Sequence, residues 1–208
     1  MVTKSSARTL FMVQLAILEA ILLIMAFTPL GYLQTASGIS ISFLALPVAV
    51  GAVILGIKAG LILGLTFGLT SFIQCFTGDA FGAALVQIQP FFTAIVCIVP
   101  RCLVGVVPAL LFRGLQKIKK LDFVSYTLSC LAASLTNTIG FLGLLILFFE
   151  GTDAMTAMGF SAGFLYILKV IGSLNGLLEA AIVTVLGTAI CKALSVFVRK
   201  KTPSAEES

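Results

Sequence analysis

Residues 91–122 read FFTAIVCIVPRCLVGVVPALLFRGLQKIKKLD. The first two thirds, Phe91 to Phe112, form one apolar run in which Arg101 is the single charge; the remainder is a linker carrying Arg113, Lys117, Lys119 and Lys120. About 20 apolar residues in a helix cross a hydrocarbon core of roughly 30 Å. The run is therefore read as a membrane span and the basic linker as its cytoplasmic flank. Apolar residues follow one another without the alternation of a barrel strand, so the span is a helix, which satisfies its own backbone hydrogen bonds in lipid.

The same pattern recurs along the chain. Six apolar stretches, 9–28, 41–56, 59–76, 91–112, 123–149 and 164–198, are each able to cross with some tilt. The expectation is an all-α polytopic membrane protein whose 208 residues form one six-helix domain, 1–208, with no separate soluble part. Composition agrees: 60% of residues are hydrophobic and 10% charged, and mean hydropathy is +1.18, values that exclude a soluble domain.

Basic residues orient the spans. Lys4 and Arg8 precede the first stretch, Lys58 separates the second from the third, the 113–122 linker follows the fourth, and Lys192, Arg199, Lys200 and Lys201 close the sixth. The intervening loops 29–40, 77–90 and 150–163 hold no Lys or Arg and carry Asp79, Glu150 and Asp153. Positive loops stay inside, which places both the N and C termini in the cytoplasm. The first stretch exceeds the ~7–15 apolar residues of a signal peptide and carries Glu19, so it is read as a retained span.

Several function classes drop out. The net charge of +5 sits at span ends rather than on an aromatic-interleaved face, so no nucleic-acid partner is expected. There is no histidine, and Cys75, Cys97, Cys102, Cys130 and Cys191 form no Cys-x-x-Cys pair. No metal and no cofactor is expected, and the cysteines read as small apolar filler. Gly51 and Gly56 have the spacing of a phosphate loop, but Ile57 stands where lysine is required, so the chain does not hydrolyse ATP. Without a Gly-x-Ser-x-Gly or His-Glu-x-x-His motif it is not read as an enzyme. Six spans without a detectable inverted repeat are few for a self-sufficient transporter.

Glycines at Gly60, Gly64 and Gly68, and at Gly172 and Gly176, mark close helix contacts, and Ala16 with Ala20 form a related small-residue pair. Polar side chains inside the spans are few: Glu19, Arg101, Asn137, Lys169, Asn175 and Glu179. A mid-helix charge costs about 2.5–3.5 kcal/mol on insertion scales, so such groups face protein or a wet cavity. At 3.6 residues per turn, Lys169, Gly172, Asn175, Gly176 and Glu179 share an arc of roughly 120°. Arg101 shares a face with Gly105 and Pro108, and Pro100 loosens the backbone beside it. Asn137 lies between Thr136 and Thr138. One reading converges Arg101, Asn137, Lys169, Asn175 and Glu179 on an extracellular solute cavity roofed by the 77–90 loop, with Gln87 and Gln89 at its rim. The other pairs Arg101 with Glu19 or Glu179 in a structural ion pair, lets Asn137 glue helices and lets Lys169 snorkel outward.

The stretches FTPLGY at 27–32, ISIS at 39–42, LPV at 46–48, GAVILG at 51–56 with KAG at 58–60, GLTFGLTS at 64–71, VPRCLVG at 99–105 and TNT at 136–138 resemble the substrate-binding S components of energy-coupling factor importers. These are prokaryotic vitamin uptake systems. The resemblance implies a six-helix S-component fold in a prokaryotic plasma membrane. It also implies a vitamin held near the outer face, and docking on a transmembrane coupling subunit driven by two ATPase subunits. Ala16 and Ala20 match the small-residue motif used for that docking. The pattern is most similar to pantothenate-type members, whose ligand carboxylate would suit Arg101 or Lys169. Three other readings stay open: an S component for pyridoxine, niacin, folate or riboflavin; a stand-alone channel or facilitator; and a membrane enzyme or assembly factor using Glu179 and Arg101. The lack of tryptophan argues mildly against a flat aromatic ligand.

Overall fold

The computed structural model describes residues 4–29, 31–34, 40–78, 80–117, 122–149, 151–152 and 174–201. Lys169, Gly172 and residues 153–173 as a whole lie outside the described residues. Helices α1 (Lys4–Ala26), α2 (Ala45–Ile54), α3 (Ile57–Thr77), α4 (Ala80–Ile88), α5 (Pro90–Leu115), α6 (Asp122–Phe149) and α7 (Leu174–Lys201) account for most of them, together with strands β1 (Tyr32–Gln34) and β2 (Ser40–Ser42). Among the described residues five helices, α1, α3, α5, α6 and α7, are long and apolar enough to cross a membrane.

Two expectations need correction. The stretch 41–56 is not one span-length helix. Its first residues belong to β2, which pairs antiparallel with β1 in the register Tyr32↔Ser42, Leu33↔Ile41 and Gln34↔Ser40. The architecture is helical, as expected, with a small two-stranded ribbon inserted between α1 and α2. The helix that follows, α2, has ten residues, a rise of about 15 Å, half the hydrocarbon core. It is tolerated because it does not meet lipid: all its residues except Leu46 and Ile54 are buried, and it packs against α1, α3, α5, α6 and α7. Irregular backbone at membrane depth is stable only where protein encloses it.

The 77–90 segment, read as a loop, contains α4. Gln89 adopts an extended backbone (φ −154°) and Pro90 takes the first turn of α5, where its missing N–H is no loss. The join between α2 and α3 is two residues, Leu55 and Gly56. Gly56 there has φ 91°, a conformation that a side chain makes strained.

Among the described residues the most extensive helix pair is α3 with α5, and glycine spacing is its cause. A Cβ on Gly60 would collide with the carbonyl oxygen of Gly105, and one on Gly105 with that of Gly60. A Cβ on Gly64 would meet the backbone of Arg101, and one on Gly68 would lie 2.8 Å from the Cα of Ile98. The 60–64–68 ridge therefore seats on α5 and sets where Arg101 lies. Leu22, Leu44, Val48, Leu63, Phe67 and Val104 are completely enclosed in the central core. Phe91, Leu147 and Val185 stand outward with about two thirds of their surface exposed, as suits lipid contact.

Candidate functional site

Arg101 is held by a defect that its own sequence creates. In a regular helix the Val96 carbonyl would accept the N–H of residue 100, but Pro100 has none. The Arg101 side chain turns back along α5 and its Nη1 donates to the Val96 oxygen at 2.9 Å. Two rings complete the seat: the guanidinium carbon lies 4.7 Å from the Phe141 centroid and 5.5 Å from that of Phe67, within cation–π range. The residue is 7% exposed. Its Nε has no hydrogen-bond partner among the described residues.

Asn137, one helical turn before Phe141 on α6, is equally enclosed. Its Nδ2 donates to Glu179 Oε1 of α7 at 3.2 Å. Since a carboxylate oxygen accepts, the amide presents nitrogen to Glu179 and leaves Oδ1 unpaired and buried. Glu179 also accepts the backbone N–H of Ser42 in β2 and lies within electrostatic reach of Arg101. Four elements, β2, α5, α6 and α7, thus meet on one carboxylate. Ser42 is 5% exposed and its hydroxyl has no partner among the described residues. A buried polar atom left unpaired is costly. Here a donor on Arg101, an acceptor on Asn137 and the hydroxyl of Ser42 are buried without a hydrogen-bond partner among the described residues.

Of the residues singled out from the sequence, the structure brings Arg101, Asn137 and Glu179 together. Glu19 stands elsewhere, accepting the Thr66 hydroxyl at 3.1 Å between α1 and α3. Among the described residues neither Glu19 nor Glu179 forms an ion pair with Arg101. Asn175 lies in the first turn of α7, four residues before Glu179, and its side chain is outside the description. Lys169 is not described. Gln89 sits exposed at the α4–α5 junction, where its carbonyl accepts the Thr93 hydroxyl at 2.9 Å; it is about 18 Å of helix rise from Arg101. Ala16 and Ala20 are exposed on α1 beside Ile17, Ile24 and Phe27.

Sequence reading missed Ser42, Phe67 and Phe141 as members of this cluster. The signal for Phe141 was its spacing of four from Asn137, which puts both on one face. The 64–68 glycine interval similarly points Phe67 toward α5. For Ser42 no local signal exists, because its place depends on the hairpin. The cysteines are partly filler, as expected, but the Cys75 and Cys97 sulfurs lie 3.8 Å apart across α3 and α5. A second thiol contact joins Cys130 to Cys191 across α6 and α7.

The sequence of the chain is similar to those of known proteins. The family model for the ECF transporter, substrate-specific component, matches residues 10–192, which takes in every cluster residue named above. The chain is also 30% identical to the pantothenic acid transporter PanT of Lactococcus lactis subsp. cremoris (strain MG1363), over 74% of this chain and 77% of that protein. With apolar helices of spanning length and a match that runs through nearly all of them, the chain belongs to the family of substrate-specific components of ECF transporters.

Proposed function

We propose that this chain captures a small vitamin, pantothenate by preference, at the outer face of a prokaryotic plasma membrane. The carrying observation is the enclosed set of Arg101, Asn137 and Glu179, in which a cationic donor and an amide acceptor stay unpaired. A carboxylate meets Arg101 by charge-assisted hydrogen bonds, and the amide or hydroxyl groups of the same ligand meet Asn137. Lys169, Asn175 and Gln89 belong to the proposed site as outer contributors. The naming of the Lactococcus relative as a pantothenic acid transporter supports this ligand over pyridoxine, niacin, folate or riboflavin.

In this reading the chain crosses the membrane six times. The β1–β2 ribbon and α2 together make the second crossing inside the bundle, and both termini lie in the cytoplasm. The chain is not an enzyme. Transport energy comes from a transmembrane coupling subunit and two ATPase subunits. The open face of α1 around Ala16 and Ala20 supports docking there. Reconstitution tests the division of labour: the purified chain alone in liposomes moves no pantothenate, while addition of the coupling module and ATP gives uptake. Flux through the chain alone, without ATP, would establish a facilitator instead.

A further inference from the structure

We infer that Ser42 is a ligand contact that reads a hydrogen-bonding group at the end of the solute away from its carboxylate, so that the site selects carboxylates bearing an amide N–H or hydroxyl. The inference rests on the ligand site proposed above and adds to it a residue and a selectivity rule. Three observations carry it. The Ser42 hydroxyl is enclosed, 5% exposed, and has no partner among the described residues. Its own backbone N–H is already committed to the Glu179 carboxylate, so the residue is held in register beside the cluster and the side chain is not needed for that bond. The position is also fixed from outside, because Ser42 pairs with Tyr32 across the ribbon and its neighbour Phe43 donates its N–H to the Gly31 carbonyl at 3.0 Å.

Serine at such a place is a poor packing choice, since an alanine or valine would fill a strand position without stranding a hydroxyl. A hydroxyl both donates and accepts, whereas Arg101 only donates and the open Asn137 oxygen only accepts. The three groups together match a small acid carrying an amide or alcohol. A simple fatty acid leaves two of them unpaired.

The test compares Ser42→Thr with Ser42→Val in the full-length chain, because the two have the same shape and differ in the hydroxyl alone. Both keep the backbone bond to Glu179. Titration with pantothenate is expected to leave the threonine variant within a few-fold of wild type and to weaken the valine variant about tenfold or more, the scale of one buried hydrogen bond. Hexanoate, which has the carboxylate and no second polar group, is expected to bind all three proteins weakly and alike. Equal pantothenate affinity in the two variants, with wild type binding well, overturns the role of Ser42 and leaves the vitamin site standing. Failure of wild type to bind pantothenate overturns both.

Discussion

Asn137 and Glu179 are joined across α6 and α7 by a hydrogen bond of 3.2 Å, and the carboxylate that accepts it also holds the backbone of Ser42. One carboxylate therefore ties two helices and a strand, and its bond to Asn137 orients the amide so that the oxygen is left unpaired. Replacing Asn137 by Leu keeps the number and branching of side-chain heavy atoms and removes both functions. Pantothenate affinity is expected to fall at least tenfold by calorimetric titration, with a loss of about 1–3 kcal/mol in stability from the unpaired Glu179. Undiminished affinity would remove Asn137 from the site.

Arg101 divides its donors between the Val96 carbonyl and the open side of the cluster. Arg101→Lys preserves the charge but not the planar fork, so one ammonium cannot serve both. Affinity for pantothenate is expected to fall about a hundredfold, while the variant still folds. Arg101→Met, which removes the charge, is expected to abolish measurable binding.

Pro100→Ala gives the helix back an N–H, and the Val96 carbonyl regains its backbone partner. Arg101 then loses its tether at that oxygen. The expected outcome is a more stable protein with weaker ligand binding, read by thermal unfolding and titration on the same sample. A rise in both would contradict the tethering role.

The ridge of α3 against α5 makes a stability prediction. Gly60→Val drives a side chain into the Gly105 backbone and is expected to cost about 1–3 kcal/mol or more. Gly114→Ala in the same α5 meets nothing within 4 Å and is expected to be neutral or slightly stabilising. Chemical unfolding of both variants separates the two cases.

Much of the buried polar cluster is legible in the amino-acid sequence. Arg101, Asn137 and Glu179 announce themselves because an amide or charge within an apolar run needs a partner, and helical spacing alone puts Gly60, Gly64 and Gly68 on one ridge. Hydropathy cannot show how an apolar run is divided. Residues 41–56 are continuously apolar apart from Ser42, yet Ile41 and Ser42 extend into a ribbon because residues 32–34 offer an edge to pair with. The nine residues of α4 are too few to mark a span, and Pro90 ends their run at the point where α5 begins. Ser42 joins the site only through that ribbon, a contact set by tertiary pairing.

Ala16→Trp and Ala20→Trp place bulk on the open face of α1 without touching the cluster. Uptake by cells carrying the coupling module is expected to disappear while pantothenate affinity of the purified variant stays at the wild-type value. Retained uptake would move the docking surface elsewhere.

The most direct test of capture is native mass spectrometry of the full-length chain purified without added ligand, followed by titration against a vitamin panel. The expected result is a one-to-one complex with pantothenate, lost in Arg101→Met. A different vitamin in that complex would contradict the assignment of pantothenate, and the absence of any bound or binding vitamin would contradict the capture role itself.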